Sequence, residues 1–412
     1  MRRPISPALT IAALALGAAG PAFAQSTQGG AVDGEWQTKA EAVLVAAAID
    51  EGDPIAPTDD VLLGSAAVEV ARSDTFENGL TLGWLGAARF ERDAASRPAF
   101  AGSFAVCHAA VAGCPSAGGL SPVAPSTGLS VGGVRRDEDG FVALEAASVS
   151  LAGPLGEGVL GWDAGAAARL DARAPSVLTR ASAYSPGLDP TALSIVRARN
   201  DVTGSSAKAS YLSPRWLGLR VGVSYTPEAN ERSADFDPDF SGPGLASAQM
   251  EDVWEGAVSF ARQFAEQDLR VRGAVTYTNA AAASSLAAFG DYEAWGAGVE
   301  LEHDGWTGGA RWLSSNNAWQ AGDGDYEAWE VGLVKDVEGW RFGVEGGWAS
   351  DGLLDVEGAS WLVGVSHDIS ENLELGVAWS AAEADIPVPS GINTGHRNAS
   401  NDGLLVEFTV RN

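Results

Sequence analysis

Apolar residues alternate with small or polar ones along most of this chain. Between Glu293 and Leu301, Trp295, Ala297, Val299 and Leu301 share one face, while Ala294, Gly296, Gly298 and Glu300 share the other. A period of two predicts a β-strand with a single apolar face. His303-Asp304-Gly305 then reads as a tight turn, after which Trp306, Gly308, Ala310 and Trp312 oppose Thr307, Gly309 and Arg311. The theme returns from Gly324 onward, with Trp329, Val331 and Leu333 on one face and a turn at Asp336-Val337-Glu338-Gly339. Trp340, Phe342, Val344 and Trp348 follow, opposite Arg341, Gly343 and Glu345. Each unit is a long hairpin whose apolar face ends in tryptophans.

The same alternation predicts sixteen strands, near residues 35–49, 60–73, 79–92, 138–151, 154–162, 203–213, 216–226, 251–262, 267–279, 291–303, 305–316, 325–337, 339–350, 357–368, 371–383 and 402–411. Short connections fall at 74–78, 152–153, 213–215, 263–266, 304, 336–337 and 369–370, and long ones at 93–137, 163–202, 227–250 and 384–401. An even strand count with tight turns at one end and long loops at the other predicts an all-β fold. It is a sixteen-stranded antiparallel transmembrane β-barrel with short periplasmic turns and long extracellular loops. Backbone in lipid must pair internally, so a sheet there closes on itself, and about 9–11 residues per strand suffice to cross. Trp295, Trp306, Trp312, Trp329, Trp340, Trp348, Trp361 and Trp379 fit the interfacial girdles of such a barrel. The competing reading of this aromatic ladder is the core of a soluble sandwich or propeller, which would bury its second face as well.

Charge and targeting narrow the class. The 412 residues hold 54 acids against 26 Lys and Arg, a net charge of −28 that argues against nucleic acid as a partner. Arg2 and Arg3, the apolar run Ala8–Gly20 and the A-x-A site Ala22-Phe23-Ala24 make residues 1–24 a signal peptide, leaving Gln25 as the mature N-terminus of a 25–412 barrel. A membrane anchor is the alternative, but the apolar run falls short of the ~20 residues that a spanning helix needs.

The run Tyr211-Leu-Ser-Pro-Arg-Trp-Leu-Gly-Leu-Arg-Val-Gly-Val-Ser-Tyr-Thr-Pro227 resembles a hairpin of the alphaproteobacterial general porins. Glu77–Gly83 is similar to their early turn and strand, and Leu160–Ala167 to their passage into the long third loop. Together with the signal peptide and strand count, the likeness covers nearly the whole mature chain. One departure is the end of the chain, Val406-Glu-Phe-Thr-Val-Arg-Asn412, where the family carries a terminal aromatic residue read by the insertion machinery.

The resemblance implies a homotrimer in outer-membrane lipid and lipopolysaccharide, with the third loop folded into the lumen so that its acids face a basic wall. That loop, 163–202, offers Asp163, Asp171, Asp189 and Asp201, but also Arg169, Arg173, Arg180, Arg197 and Arg199. Strand phase predicts Lys39, Arg89, Lys208, Arg220, Arg270, Arg272, Arg311 and Arg341 as lumen-facing, with Lys39 and Arg89 the wall candidates the family pattern favours. Opposed fixed charges across a constriction create a transverse field that aligns polar solutes. Each of these side chains can equally be an ordinary solvated lumen residue.

Other chemistry is sparse. Cys107 and Cys114 share one loop, and in an oxidising exported setting they read as a disulfide. Asp235–Phe240 and Asp323–Asp325 are oxygen-rich enough to hold calcium, though hydrophilic turns are the plainer reading; no other cofactor is expected. Gly128–Gly132 matches G-x-S-x-G, yet it sits in a Ser/Pro/Gly loop leading into a strand, not between strand and helix. His108, His303, His367 and His396 share no metal spacing. No enzyme is expected. The expected function is an outer-membrane pore for ions and small hydrophilic solutes, the alternatives being a substrate-selective channel or a structural or adhesive barrel with a plugged lumen. Lumen positions rich in Gly, Ala, Ser and Thr favour an open bore.

Overall fold

A computed structural model describes residues 34–51, 62–93, 123–124, 140–184, 186–191, 193–229, 246–247, 249–283, 289–320, 323–353, 355–390 and 393–412. Sixteen long strands account for most of them: β1 (Trp36–Glu51), β2 (Leu62–Thr75), β3 (Thr81–Arg92), β4 (Phe141–Gly153), β5 (Gly156–Asp163), β6 (Ser206–Leu212), β7 (Leu219–Glu228) and β8 (Gln249–Phe264). They continue with β9 (Leu269–Ala283), β10 (Tyr292–His303), β11 (Trp306–Ser315), β12 (Tyr326–Val337), β13 (Trp340–Asp351), β14 (Val356–Ser370), β15 (Leu373–Ser390) and β16 (Asn393–Arg411). Each pairs antiparallel with its neighbours in the chain, and β1 also pairs with β16, so the sheet closes into a barrel. Leu44 stands opposite Phe408 across that seam and opposite Gly64 of β2 on its other side. The chain end is stitched into the seam as well: Ala40 N–H donates to Asn412 Oδ1 at 2.6 Å, and Asn412 N–H to the Ala40 carbonyl at 3.1 Å. Phe408 lies on the outer face without a terminal aromatic beyond it.

Closure fixes the two faces. Because side chains alternate, one set from every strand faces out, and Leu44, Val68, Trp84, Leu144, Leu160, Val223, Val258, Val275, Val299, Val331, Val344, Val363 and Val406 are all exposed there. In water so wide an apolar surface would drive association; around a barrel it is the lipid belt. The two repeated hairpins are adjacent staves, and Trp312 pairs directly with Trp329, which pairs with Trp348. Their rings form a continuous shelf, with centroids 6.2 Å apart at the first pair and 5.8 Å, nearly parallel, at the second. Tyr277 on Trp295 (4.6 Å) and Tyr225 on Trp254 (4.9 Å) extend it around the loop end. At the turn end Trp340 stacks on His367 at 4.2 Å. From Trp340 to Trp348 is about 27 Å along a strand, or about 20 Å along the normal at the usual ~40° tilt, close to the ~25 Å band of outer-membrane barrels.

The turns are tight because the residues in them tolerate a left-handed backbone. Asp304-Gly305 joins β10 to β11 with φ of 47° and 69°, the pattern of the two-residue hairpin turn that matches strand twist. Glu338-Gly339 does the same between β12 and β13 with φ of 50° and 80°. Of the turn expected over Asp336–Gly339, only Glu338-Gly339 forms it, Asp336 and Val337 remaining in strand β12.

Two other boundaries differ. Residues 384–401, expected as a long loop, are mostly strand, since β15 and β16 stay paired as far as Ser390 and Asn393. Pro387 and Pro389 hid that extension, because proline normally argues against a paired strand. At the same end, β13 and β14 are joined by only residues 352–355, so connections on the loop side are not uniformly long.

Val331 lies mid-strand on the outer face and Val337 at the turn end. Val331→Arg is expected to lower stability in lipid vesicles by about 2–4 kcal/mol, and Val337→Arg by about 1 kcal/mol or less. Urea unfolding followed by tryptophan fluorescence measures both; equal and small effects would mean that this face does not meet hydrocarbon.

Candidate pore constriction

The lumen face of the wall is unusually bare on one side. Gly298 on β10, Gly309 on β11, Gly332 on β12, Gly343 and Gly347 on β13, Gly358 and Gly364 on β14 and Gly376 on β15 all point inward. These glycines form a trench, and the long connection between β5 and β6, residues 164–205, lies in it. Ala172 covers Gly298, Pro175 and Ala174 cover Gly309, Val177 covers Gly343 and Gly364, and Leu178 covers Gly376. On the way back Ile195 covers Gly358 and Val196 covers Gly347. A β-carbon on Gly343 would stand 2.8 Å from Val177, so any larger residue there would lift the loop off the wall. Burial of Val177, Leu178, Ile195 and Val196, each at most 3% exposed, contributes about 1.5–3 kcal/mol per side chain. The glycines expected to keep the bore open are thus the bed of the third loop.

The loop begins with a single helical turn, α1 (Ala166–Leu170), in a run of alanines that favours helix. Ala166, Ala167 and Leu170 are buried, with Leu170 set over Gly222 of β7, and Ala166 N–H donates to Ser224 Oγ at 2.9 Å. Beyond α1 the chain is extended and makes few bonds to itself, so the wall must satisfy its backbone. Glu407 on β16 accepts the N–H groups of Thr179 (2.5 Å), Arg180 (2.9 Å) and Ala181 (2.9 Å) at the loop tip. Glu330 on β12 accepts Ala198 N–H at 2.9 Å, and Asp93 accepts Asp189 N–H at 2.8 Å. Tyr326 receives Arg197 N–H at 3.0 Å, Asn401 donates to the Thr191 carbonyl at 2.8 Å, and Ser176 donates to Glu345 at 3.0 Å. Asn200 bridges Thr276 and Thr278 of β9. These wall acceptors are not among the lumen residues expected from the sequence, although Glu330, Glu345 and Glu407 share the inward strand phase of the basic set.

The four loop acids do not form a row. Asp163 is the last residue of β5, accepting Ser148 Oγ at 3.0 Å and lying 3.8 Å from Arg169. Asp171 pairs with Arg311. Asp189, 2% exposed, closes a local turn by accepting Thr191 Oγ1 at 2.6 Å and Ser194 N–H at 2.9 Å. Asp201 pairs with Arg199 at 3.4 Å.

All eight basic residues fall on the lumen face, but in different settings. Lys208 is buried and donates to Thr203 Oγ1 and the Gly204 carbonyl, both at 2.9 Å, a strut under the returning loop. Arg311, 3% exposed, sits beneath the loop between Asp171 and Glu330, and so is separated from the bore. Toward the turn end Arg220 pairs with Glu157 (3.1 Å), Arg270 with Glu302 (3.5 Å), Arg272 with Glu300 (2.9 Å) and Arg341 with Glu374 (3.4 Å). The part of the β1–β4 wall that the loop leaves accessible carries Lys39, paired with Glu69 at 3.2 Å, and Arg89, which contacts Glu145 at 2.6 Å and Glu41 at 3.8 Å. Every basic candidate on that accessible wall therefore has a carboxylate beside it.

On the loop itself Tyr184 has its phenol pushed well up, chiefly by burial, and donates to the Pro175 carbonyl at 2.5 Å. The Arg173 guanidinium is pulled down to about 10, first by the neighbouring charge of Arg199 and then by the protein mass packed around it inside the barrel; the residue still reaches solvent and stays charged at neutral pH. Cys107, Cys114, His108, Gly128–Gly132, Asp235–Phe240 and the signal peptide lie outside the described residues. Among the described residues, no group of three His, Cys, Asp or Glu side chains could hold a metal ion.

The geometry has counterparts among known proteins. A family model described as Gram-negative porin matches residues 8–385. No curated protein matches the sequence. Among solved structures the chain is similar to OmpF of Salmonella typhi in complex with daunomycin, at 12% identity and a TM-score of 0.56 over 92% of this chain and 97% of that one. It is also similar to the outer-membrane channel DcaP of Acinetobacter baumannii (12%, 0.54, 92% and 99%) and to an anion-selective porin from Comamonas acidovorans (12%, 0.52, 92% and 99%). At such identity those likenesses carry the barrel fold, and the family match carries the rest: this chain belongs to the Gram-negative porin family, a channel for small solutes in the outer membrane.

Proposed function

We propose that the chain forms a water-filled diffusion pore for ions and small hydrophilic solutes, narrowed by the 164–205 loop, and that it carries out no catalysis. The observation that carries this reading is a loop held inside the barrel while charged groups on either side of the lumen keep contact with solvent: Arg173 on the loop, and Lys39, Glu41, Glu69 and Glu145 on the accessible wall. A homotrimer set among lipopolysaccharide and phospholipid is the assembly that the family likeness favours. The hairpin Tyr211–Pro227 favours the alphaproteobacterial general porins within the family. Residues 1–24 are proposed as a cleaved leader, and an intact mass corresponding to a start at Gln25 is the expected result; a retained leader would refute it.

The extent of the loop contact supports a second reading. It lines the inner wall from β7 to β16 and reaches the loop end of β3 at Glu91 and Asp93, which also suits a barrel that is plugged or selective for one solute. Purified protein in a planar bilayer separates the two. Stepwise openings in groups of three are expected for a trimeric diffusion pore; a folded, heat-modifiable barrel without current would overturn it, and saturable block by one solute would favour the selective channel.

Glu407 supplies the tip's three acceptor contacts, and a buried N–H left without a partner costs about 1–3 kcal/mol. Glu407→Ala is therefore expected to free the tip, giving noisier open-channel current and faster swelling of porin-loaded vesicles in sugars that pass slowly through the native pore. Unchanged current noise and swelling would show that the carboxylate does not hold the constriction.

A further inference from the structure

Two short stretches of the 164–205 loop, residues 172–174 and 198–200, turn alternate side chains to the wall and to the bore. On the outgoing limb Ala172 and Ala174 are buried against Gly298 and Gly309, so Arg173 between them points the other way; it is the one exposed residue among those described in the loop. On the returning limb Ala198 is fixed to Glu330 and Asn200 to Thr276, which turns Arg199 away from the wall. Those anchor points lie on neighbouring strands β9–β12, where Gly298 pairs with Arg311 and Arg311 with Glu330, so the two limbs run side by side. Two guanidinium groups thus stand next to each other on the bore face of the loop.

Of the nearby carboxylates only Asp201 engages the pair, at Arg199, and the others are held by different partners. Asp171 pairs with Arg311, Glu330 holds Ala198 N–H and Arg311, Glu91 pairs with Arg180 at 2.5 Å, and Asp201 pairs with Arg199 at 3.4 Å. Among the described residues no acid comes within salt-bridge distance of Arg173, although Asp201 and Glu330 attract it from farther off. Arg197 on the same limb is 7% exposed and its Nη2 atom has no hydrogen-bond partner. Two such forks are the chemistry that binds carboxylate or phosphate oxygens. Half-way around the sixteen-strand ring from β11 and β12 lie β3 and β4; the accessible part of their wall, with β1 and β2, carries three acids (Glu41, Glu69, Glu145) against two bases (Lys39, Arg89).

We infer that the bore face of the loop is an anion-binding site, with Arg173 and Arg199 holding small oxyanions such as phosphate or carboxylates as they cross the constriction. The transverse field then runs from a positive loop to a negative wall, the reverse of the acidic loop and basic wall expected from the family resemblance. Local charge sets this preference; the chain's net −28 resides largely elsewhere.

The inference rests on the diffusion-pore reading, and the test keeps the two apart. The full-length protein in a planar bilayer under a KCl gradient is expected to give a reversal potential on the chloride side, with millimolar inorganic phosphate reducing the current. Arg173→Gln removes one charge beside the path, and its chloride-to-potassium permeability ratio is expected to fall roughly three- to tenfold, as one charge about 6 Å away dictates at high dielectric. Arg173→Lys keeps the charge without the fork, so it should retain the ion preference and lose most of the phosphate block. Arg199→Gln, on the other limb, should act in the same direction as Arg173→Gln. A silent barrel would defeat the pore itself. A conducting pore whose reversal potential and phosphate response are the same in native protein, Arg173→Gln and Arg199→Gln would defeat the anion site alone.

Discussion

Hydrocarbon offers no hydrogen-bond partner to a peptide group, so a sheet placed in a membrane has to end where it began. In this chain that requirement is met at one seam, where β1 pairs with β16 from Glu41 opposite Arg411 to Glu51 opposite Asn401. Everything else follows from the seam. Once the sheet is closed, the strict alternation of side chains divides every strand into a lipid face and a lumen face, and a slip of one residue would exchange them. The tryptophan shelf at Trp312, Trp329 and Trp348 and the inward run of glycines on β10 to β15 are two products of one register.

Closure also creates a second problem inside. A loop of some forty residues that enters the lumen carries its own peptide groups into a space partly sealed from water, and an extended segment cannot satisfy them by itself. Wall carboxylates and hydroxyls serve as the missing partners. Glu407 gathers three consecutive N–H groups, while Tyr326 and Glu330 take those of Arg197 and Ala198. Glycine supplies the space and acidic residues supply the acceptors, so the position of the loop is written into the wall as much as into the loop. A wall with larger residues in the trench would expel the segment however favourable its own sequence.

The division between what could and could not be read from sequence follows the range of the interactions. Strand phase depends only on the next residue but one, so Trp295, Val299, Arg220 and Arg341 take the faces that alternation predicts. Asp304-Gly305 was legible because an αL-tolerant pair between two alternating runs has few other uses. Loop placement depends on contacts over a hundred residues or more, such as Glu407 with Thr179, and no local pattern announces them. Hence Gly343 and Gly364 read as open bore when they are a bed, and Lys208 and Arg311 read as pore wall when the folded loop covers them. The extension of β15 and β16 through Pro387 and Pro389 was hidden for another reason: proline's missing N–H matters only where the ladder needs it, and sequence does not show which positions those are.

Net charge is a poor guide to what such a channel admits, and the reason is geometric. At physiological ionic strength a fixed charge in the open is felt over about 8 Å, so acids on outer loops are screened from a solute at the narrowest point. What that solute meets is the few groups on the bore face. On the loop side these are chosen by the local alternation that buries Ala172, Ala174 and Ala198 and turns Arg173 and Arg199 toward the bore. A one-residue change in the register of either limb against its glycines would bury the guanidinium groups and present alanines instead. The same device that sorts lipid from lumen across the barrel wall therefore sorts, inside it, which charges face the permeating solute.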